Sequence, residues 1–522
     1  MKVYINDDFG DFYSATLPAN EWNTDRLKKR IDFYTARGGV DAIFLNLNAA
    51  RAFFDSRTRT PIWHDMTDTS EGVLYNGKLQ SKFLSNAARN ALALYTNVPD
   101  PMRFNYDYCH EKGVDLFISM RMNDIHFVND PDCILHDDFW RNRPDRQRCP
   151  YRQAEWNSYT LDYSRSDVFE HNIELMEEYL DRFETDGLEL DWMRTPPHVR
   201  PGSPDCGCSV LTEFMRRTRA AARKAEKRWN HPVKIAVRTP DSPENALAIG
   251  MDIAAWVQED LVDIIIPSPY FDSTCYNIPV RIWKLIAGEK VEVTPCLERF
   301  SKMAREKSLP VNADIYIDCG YSAAFYADGA DGIYMYNHFA GTGYTPQLIE
   351  PGLSWDSGGI PLPPPEVYAE GKESQKEFNS IAGNYQEVCR RERRHIYTFN
   401  QDYFYESGRH NHSFLPADTA KAIIPFNLGI VGKNRSGRIV VGFRPGESAP
   451  LRVYCNTVQC ELDSNAVFPY MPPMMDAQTP VELYTYNIPA NVLHDQRNTI
   501  EILSNQGMDY QWIELDMDPA NE

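Results

Sequence analysis

The chain has no run of about 18 apolar residues, the least that spans a bilayer as a helix, so no membrane span is expected. MKVYINDDFG goes straight into a strand pattern without a basic and apolar stretch, so no leader is expected in the sequence as it stands. The expected location is the cytoplasm, or outside the cell if a leader has been removed. Positive charge is scarce, with 54 Lys and Arg against 74 Asp and Glu. The resulting net charge of −20 repels phosphates and anionic lipids, which argues against nucleic acid and membranes as partners. The 11 cysteines form no regular framework, and Cys206-Gly-Cys208 lacks the second pair that a zinc site needs. Reduced core thiols are expected, with a Cys455–Cys460 hairpin bridge as the alternative in an exported protein. A GxSxG elbow and a phosphate-binding glycine loop are also missing, which removes two common kinds of catalysis. No internal repeat or low-complexity segment is evident.

Apolar and aromatic residues are plentiful. Over 522 residues the chain is 43% hydrophobic, with 29 Tyr and 10 Trp, enough for a large core with rings left for surfaces. Along the first 340 residues or so, short β-rich runs alternate with helical patterns, the signature of βαβ units. Eight runs stand out: 3–7, 41–48, 115–124, 187–194, 234–240, 263–270, 291–298 and 332–339. An α/β fold follows, a (β/α)8 TIM barrel over residues 1–390. From 391 to 522 the pattern becomes strands without intervening helices, as in a β-sandwich. That second domain shows no clustered acids or histidines and is expected to support the barrel or bind sugar.

Polar residues gather at the C-terminal strand ends, where such barrels carry their active sites. They include Asp7, Asp8, Asn46, Asn48, Arg121, Asn123, Asp124, Glu189, Asp191, Arg194, Arg238, Tyr270, Glu298, Tyr336, Asn337 and His338. These are groups that hydrogen-bond hydroxyls. Segments 49–85 and 125–165 exceed ordinary connections and are expected to wall a cleft. Their rings, Phe53, Phe54, Trp63, Phe127, Trp140, Tyr151 and Trp156, either stack on sugars or pack the loops down.

The stretch DGLELDWMR, residues 186–194, sets two acids and an arginine at the end of an apolar strand. Buried charges need compensation, and catalysis is one reason to keep them. Gly187, Glu189 and Asp191 share one strand face, and the glycine leaves room at the barrel axis. Cleaving a glycosidic bond usually takes two carboxyl groups, one donating a proton and one attacking or activating water. Asp191 is the first candidate, as nucleophile or stabilising carboxylate, with Arg194 favouring its ionised form. Glu298, at the tip of the strand across the barrel mouth, is the candidate acid/base. Asp124 is a reserve catalytic acid, and Arg121, Asn123 and His126 beside it are expected to bind substrate. So are Asp8, Asn48, Glu189, Arg194, Arg238, Tyr270, Tyr336, Asn337 and His338. The arginines are expected to pair with Asp124, Glu189 and Asp191 in preference to an anionic sugar. No tight ligand spacing supports a metal built on His126 and His338.

TLDYSRSDVFEHNIELMEEYLDRFETDGLELDWMR, residues 160–194, resembles the core of the family-ten-like glycosyl hydrolases. In that family a LDYxxPxV segment precedes a helix and a DGLELDFxR-like strand, and an RMND.H motif comes one strand earlier. The similarity spans roughly residues 1–390, with the motifs in 119–126 and 160–196. YSRSDV departs from the family by lacking its proline, which touches a helix start and not the chemistry. The resemblance implies a barrel acting on a glycoside, with a carbohydrate substrate; a homo-oligomer is compatible with it. The expected activity is a retaining, two-carboxylate glycoside hydrolase without cofactor. Two alternatives stay open: a non-catalytic carbohydrate-binding barrel, and a sugar isomerase or lyase using a metal or a Tyr/His base.

Overall fold

The computed structural model describes residues 1–141, 144–152, 156–269, 277–298, 300–302, 310–312, 314–336, 365–397, 415, 418–443, 451–466 and 482–520. Nine parallel strands form a curled sheet: β1 (Lys2–Asp7), β2 (Ala42–Asn46), β3 (Asp115–Arg121), β4 (Gly187–Asp191), β5 (Lys234–Pro240), β6 (Ile264–Ser268), β7 (Glu292–Val293), β8 (Cys296–Glu298) and β9 (Gly332–Tyr336). Their order is β7-β6-β5-β4-β3-β2-β1-β9-β8. The first six match expected runs, because each is a short, buried run whose outward face is mainly apolar, as a parallel strand covered by helices must be.

The expected seventh strand, 291–298, is broken. Its first piece pairs with β6, Glu292 opposite Ile264, and its second with β9, Cys296 opposite Tyr334. Thr294 still donates its N–H to the Ile265 carbonyl at 2.9 Å, but Pro295 has no N–H to give a ladder. The sheet therefore curls until its two end strands are successive pieces of one segment. It is interrupted there and not closed by one continuous strand. The eighth expected run is described only to Tyr336.

Alternate residues face inside the curl. Tyr4, Phe44, Phe117, Ala236, Ile264, Cys296 and Tyr334 share one interior cluster, while Leu188, Leu190, Val237 and Met335 join the outer core. Phe44 and Phe117 stack with ring centroids 4.4 Å apart. Gly187 makes that floor possible, since a Cβ there would lie 2.1 Å from the Phe117 ring. The outer core is closed by amphipathic helices such as Ser166–Arg182, which buries Val168, Ile173, Met176 and Tyr179.

The first long insertion is not a plain loop. It contains a small antiparallel sheet (Thr67–Asp68, Val73–Tyr75, Lys78–Leu79) that packs with helix Lys82–Asn97 around a core of its own. Phe53, Phe54 and Trp140 are buried, so packing explains those rings; Phe127 and Tyr151 are exposed. Trp63 is half-buried, and the Trp156 side chain lies outside the described set.

Beyond residue 392 two antiparallel sheets follow. One has five strands, in the order Arg393–Tyr397, Tyr510–Met517, Gly437–Phe443, Glu482–Ile488, Glu461–Asp463. The other has four, Thr419–Asn427, Arg497–Met508, Arg452–Cys455, Val458–Gln459. Their inner side chains share a core that runs on into that of the parallel sheet. Helix Ile315–Ala327 joins the halves: Gly320 lies so close to Arg393–Tyr397 that a Cβ would sit 2.0 Å from the Arg394 carbonyl. Cys455 and Cys460 are buried free thiols, as are most described cysteines. Among the described residues no helix is long and apolar enough to cross a membrane.

Candidate active site

Strand register gathers the expected charges at one end of the sheet. Asp191 lies opposite Arg121 on one side and Arg238 on the other, and Glu298 lies opposite Tyr336. Asp191 accepts from Arg238 Nη1 at 2.8 Å and from the Arg194 backbone N–H at 2.9 Å. The Arg238 guanidinium lies 3.6 Å from the Tyr336 ring centroid and reaches Ser268 Oγ at 3.3 Å. Arg194 donates from Nη1 to the Tyr336 hydroxyl and from Nη2 to His126 Nε2, both at 2.9 Å.

That last bond fixes a tautomer. A guanidinium only donates, so His126 Nε2 accepts and Nδ1 carries the proton, which it gives to Asp124 at 3.0 Å. Asp124 also holds Arg121 at 2.9 Å, and Arg121 in turn grips Asp8. Burial works against ionising Asp124, but His126 and Arg121 outweigh it and hold the carboxyl well below the usual range. The result is a continuous polar chain from Asp8 to Tyr336. The pairing expected for the arginines holds for Arg121 with Asp124 and Arg238 with Asp191, while Arg194 takes a tyrosine and a histidine. Asp7 faces the other way and pairs with Arg30 in the outer core.

Asn48, Asn123 and Glu189, all expected to meet substrate, are buried. Asn48 accepts the Arg121 N–H and donates to the Arg121 carbonyl, both at 3.1 Å, which pins two strand ends together. Asn123 accepts from the Leu161 N–H at 2.9 Å and contacts His198, which burial keeps neutral with a pKa near 3. Glu189 is fully buried one layer below Asp191. The two asparagines are held by scaffold groups, whereas neither carboxyl oxygen of Glu189 has a hydrogen-bond partner among the described residues. Glu298 is also buried, inward beside Cys296 on β8, at 1% exposure. Tyr270, Asn337 and His338 lie outside the described residues.

Sequence reading missed Ser119, Ser268, Tyr334 and His198. The first two share the inward parity of Arg121 and Ile266, and Tyr334 that of Tyr336, so strand alternation could have found them. A metal beside Asp124 and His126 would face the Arg121 and Arg194 guanidiniums, an unfavourable place for a cation. His110, Asp115 and Asp186 bring ligand atoms within 4.8 Å of one another at the opposite strand ends, where His110 Nε2 already pairs with Asp186 at 2.8 Å.

No protein-family model matches the chain, and no curated protein matches it. Solved structures give weak likenesses. Alpha-L-fucosidase isoenzyme 1 from Paenibacillus thiaminolyticus is 12% identical at a TM-score of 0.35, over 97% of this chain and 96% of that one. A GH138 enzyme targeting pectin rhamnogalacturonan II is 10% identical at 0.39, over 75% of this chain and 40% of the other. A GH36 alpha-galactosidase from Geobacillus stearothermophilus is 10% identical at 0.32, over 97% of this chain and 55% of its own. The functional reading therefore rests on the site itself.

Proposed function

We propose that the protein is a glycoside hydrolase acting on an oligo- or polysaccharide, with Asp191 as nucleophile and Glu298 as acid/base. The observation that carries this reading is the inward placement of Asp191 at a strand's C-terminal end. Two hydrogen bonds, from Arg238 and from the Arg194 backbone, orient it. Glu298, buried on β8 with the parity of the interior Cys296, faces the same interior from the end of the sheet. Both carboxyls act on the thiol of Cys296, which burial pushes up to about 12. In the retaining course Glu298 protonates the departing oxygen while Asp191 attacks the anomeric carbon. Water then releases the sugar with Glu298 as base. The resemblance to family-ten-like glycosyl hydrolases agrees with this chemistry.

A second reading is favoured by one observation: Asp191 and Arg238 are only 2% and 3% exposed, as in a purely structural ion pair. It makes the chain a carbohydrate-binding protein without turnover. The test is a panel of aryl glycosides and oligosaccharides with wild type, Asp191→Asn and Glu298→Gln. The hydrolase reading expects turnover with retained configuration in wild type, and losses on the order of 10³-fold in the variants. Oligosaccharide binding with no turnover by wild type establishes the second reading instead. Activity abolished by a chelator points to the isomerase or lyase alternative.

A further inference from the structure

Glu189 precedes Asp191 by two residues on the inward face of β4, and its side chain is fully buried. Neither of its carboxyl oxygens has a hydrogen-bond partner among the described residues. The hydroxyls of Ser119 and Tyr334 lie beside it, yet neither makes a hydrogen bond of good geometry. Beneath lies the apolar floor of Phe44 and Phe117. An ionised carboxylate needs donors or a cation of its own in such a place, and a neutral acid does not.

The nearest cation is already engaged. Arg238 gives Nη1 to Asp191 and Nε to Ser268, with its face on the Tyr336 ring. Among the described residues, the charged and titratable groups that act on Glu189 are Asp191 on its own strand, Arg238 on β5 and Tyr334 on β9. Cys296 and Tyr336 act on Arg238 and Asp191 in turn. Burial, and then Asp191, push the Glu189 carboxyl up to about 7 against the pull of Arg238 and the smaller pull of the Ser119 and Tyr334 hydroxyls.

We propose that Glu189 is a positioning residue that keeps its proton in the working site, so that Arg238 is left to Asp191 alone. Its consequence for turnover rests on the hydrolase reading above. Ionised, Glu189 sets a second negative charge against the same guanidinium, and the orientation of Asp191 loosens. The residue touches no reacting atom and acts only through the Arg238–Asp191 pair.

Two measurements on wild type and Glu189→Gln, from about pH 4.5 to about pH 9, test this: kcat on aryl glycosides and urea unfolding. In wild type kcat is expected to fall as the pH rises through about 7. In E189Q that alkaline limb moves up by at least about one pH unit. The folded-state pKa of Glu189 is raised, so folding favours the protonated form. The associated stability is complete below the ordinary glutamate range and is lost as pH rises through about 7, a loss that E189Q lacks. Superimposable alkaline limbs, or stability curves that run parallel, overturn the proposal. If neither protein turns over any glycoside, the hydrolase reading fails and the unfolding curves alone decide this one. Should E189Q not fold, Glu189→Met, neutral and of similar length, replaces it in both measurements.

Discussion

The tripeptide Glu-Leu-Asp occurs three times, and the chain gives it three environments. In β4, Glu189 and Asp191 face the interior of the curled sheet, and Asp191 meets the buried Arg238. In strand Tyr510–Met517, Glu514 and Asp516 are equally buried, but their cations are Arg394, with Nε 3.9 Å from Glu514, and the half-exposed Arg438, 2.9 Å from Asp516. In Glu461–Asp463 both acids lie on an edge strand near water. The second case corrects the expectation that the C-terminal half has no clustered acids. Glu514 takes a hydrogen bond from Trp512 Nε1 at 2.7 Å, and burial with the neighbouring Asp516 pushes its carboxyl well up. What separates the copies is the set of neighbours that other strands deliver, which decides whether an acid is an oriented reagent, an interface clamp or a surface charge.

The comparison can be broken in order of effect. Asp191→Asn is expected to lower kcat on the order of 10³-fold, about 4 kcal/mol of barrel-site transition-state stabilisation, whereas Asp516→Asn leaves kcat alone. Steady-state kinetics on a glycoside that wild type cleaves check both, and a matching loss in D516N erases the distinction. Arg238→Met leaves Asp191 buried without its cation and is expected to cost about 3–5 kcal/mol in urea unfolding. Arg438→Met, whose partner reaches water more readily, costs a fraction of that.

The third effect depends on pH. Because the Glu514 pKa is raised on folding, its protonated form stabilises the native state, and that contribution fades as pH rises above the ordinary glutamate range. Wild type should lose up to about 1.4 kcal/mol per pH unit relative to Glu514→Gln over that window, as read by unfolding at successive pH values. Equal slopes mean that Glu514 titrates as an ordinary acid. The smallest effect belongs to the edge copy: Asp463→Asn should shift stability by less than about 0.5 kcal/mol.

Six of the parallel strands were legible because each is a short, mainly apolar run set between helical patterns. The seventh was not, since a run of residues says nothing about a change of partner at Pro295. Parity along β4 correctly put Glu189 and Asp191 on one face, but not that Glu189 would sit a layer lower, unpaired, while Asp191 received two donors. His126 and Arg194 stand far apart in the chain, so their contact, and the tautomer it fixes, could not be read from either segment. The sequence left open whether rings in the insertions stack on sugars or pack the loops down, and Phe53, Phe54 and Trp140 went into packing. A ring's exposure depends on whether a second layer covers it.

The amino-acid order alone determined the periods, and with them the strands, the inward and outward faces and the stock of acids and arginines at one end of the sheet. Only the tertiary structure decided which acid each guanidinium serves and which carboxyl is left without donors. A charge's energy depends on what lies within a few ångströms of it, and here those neighbours come from strands separated by tens of residues in the chain.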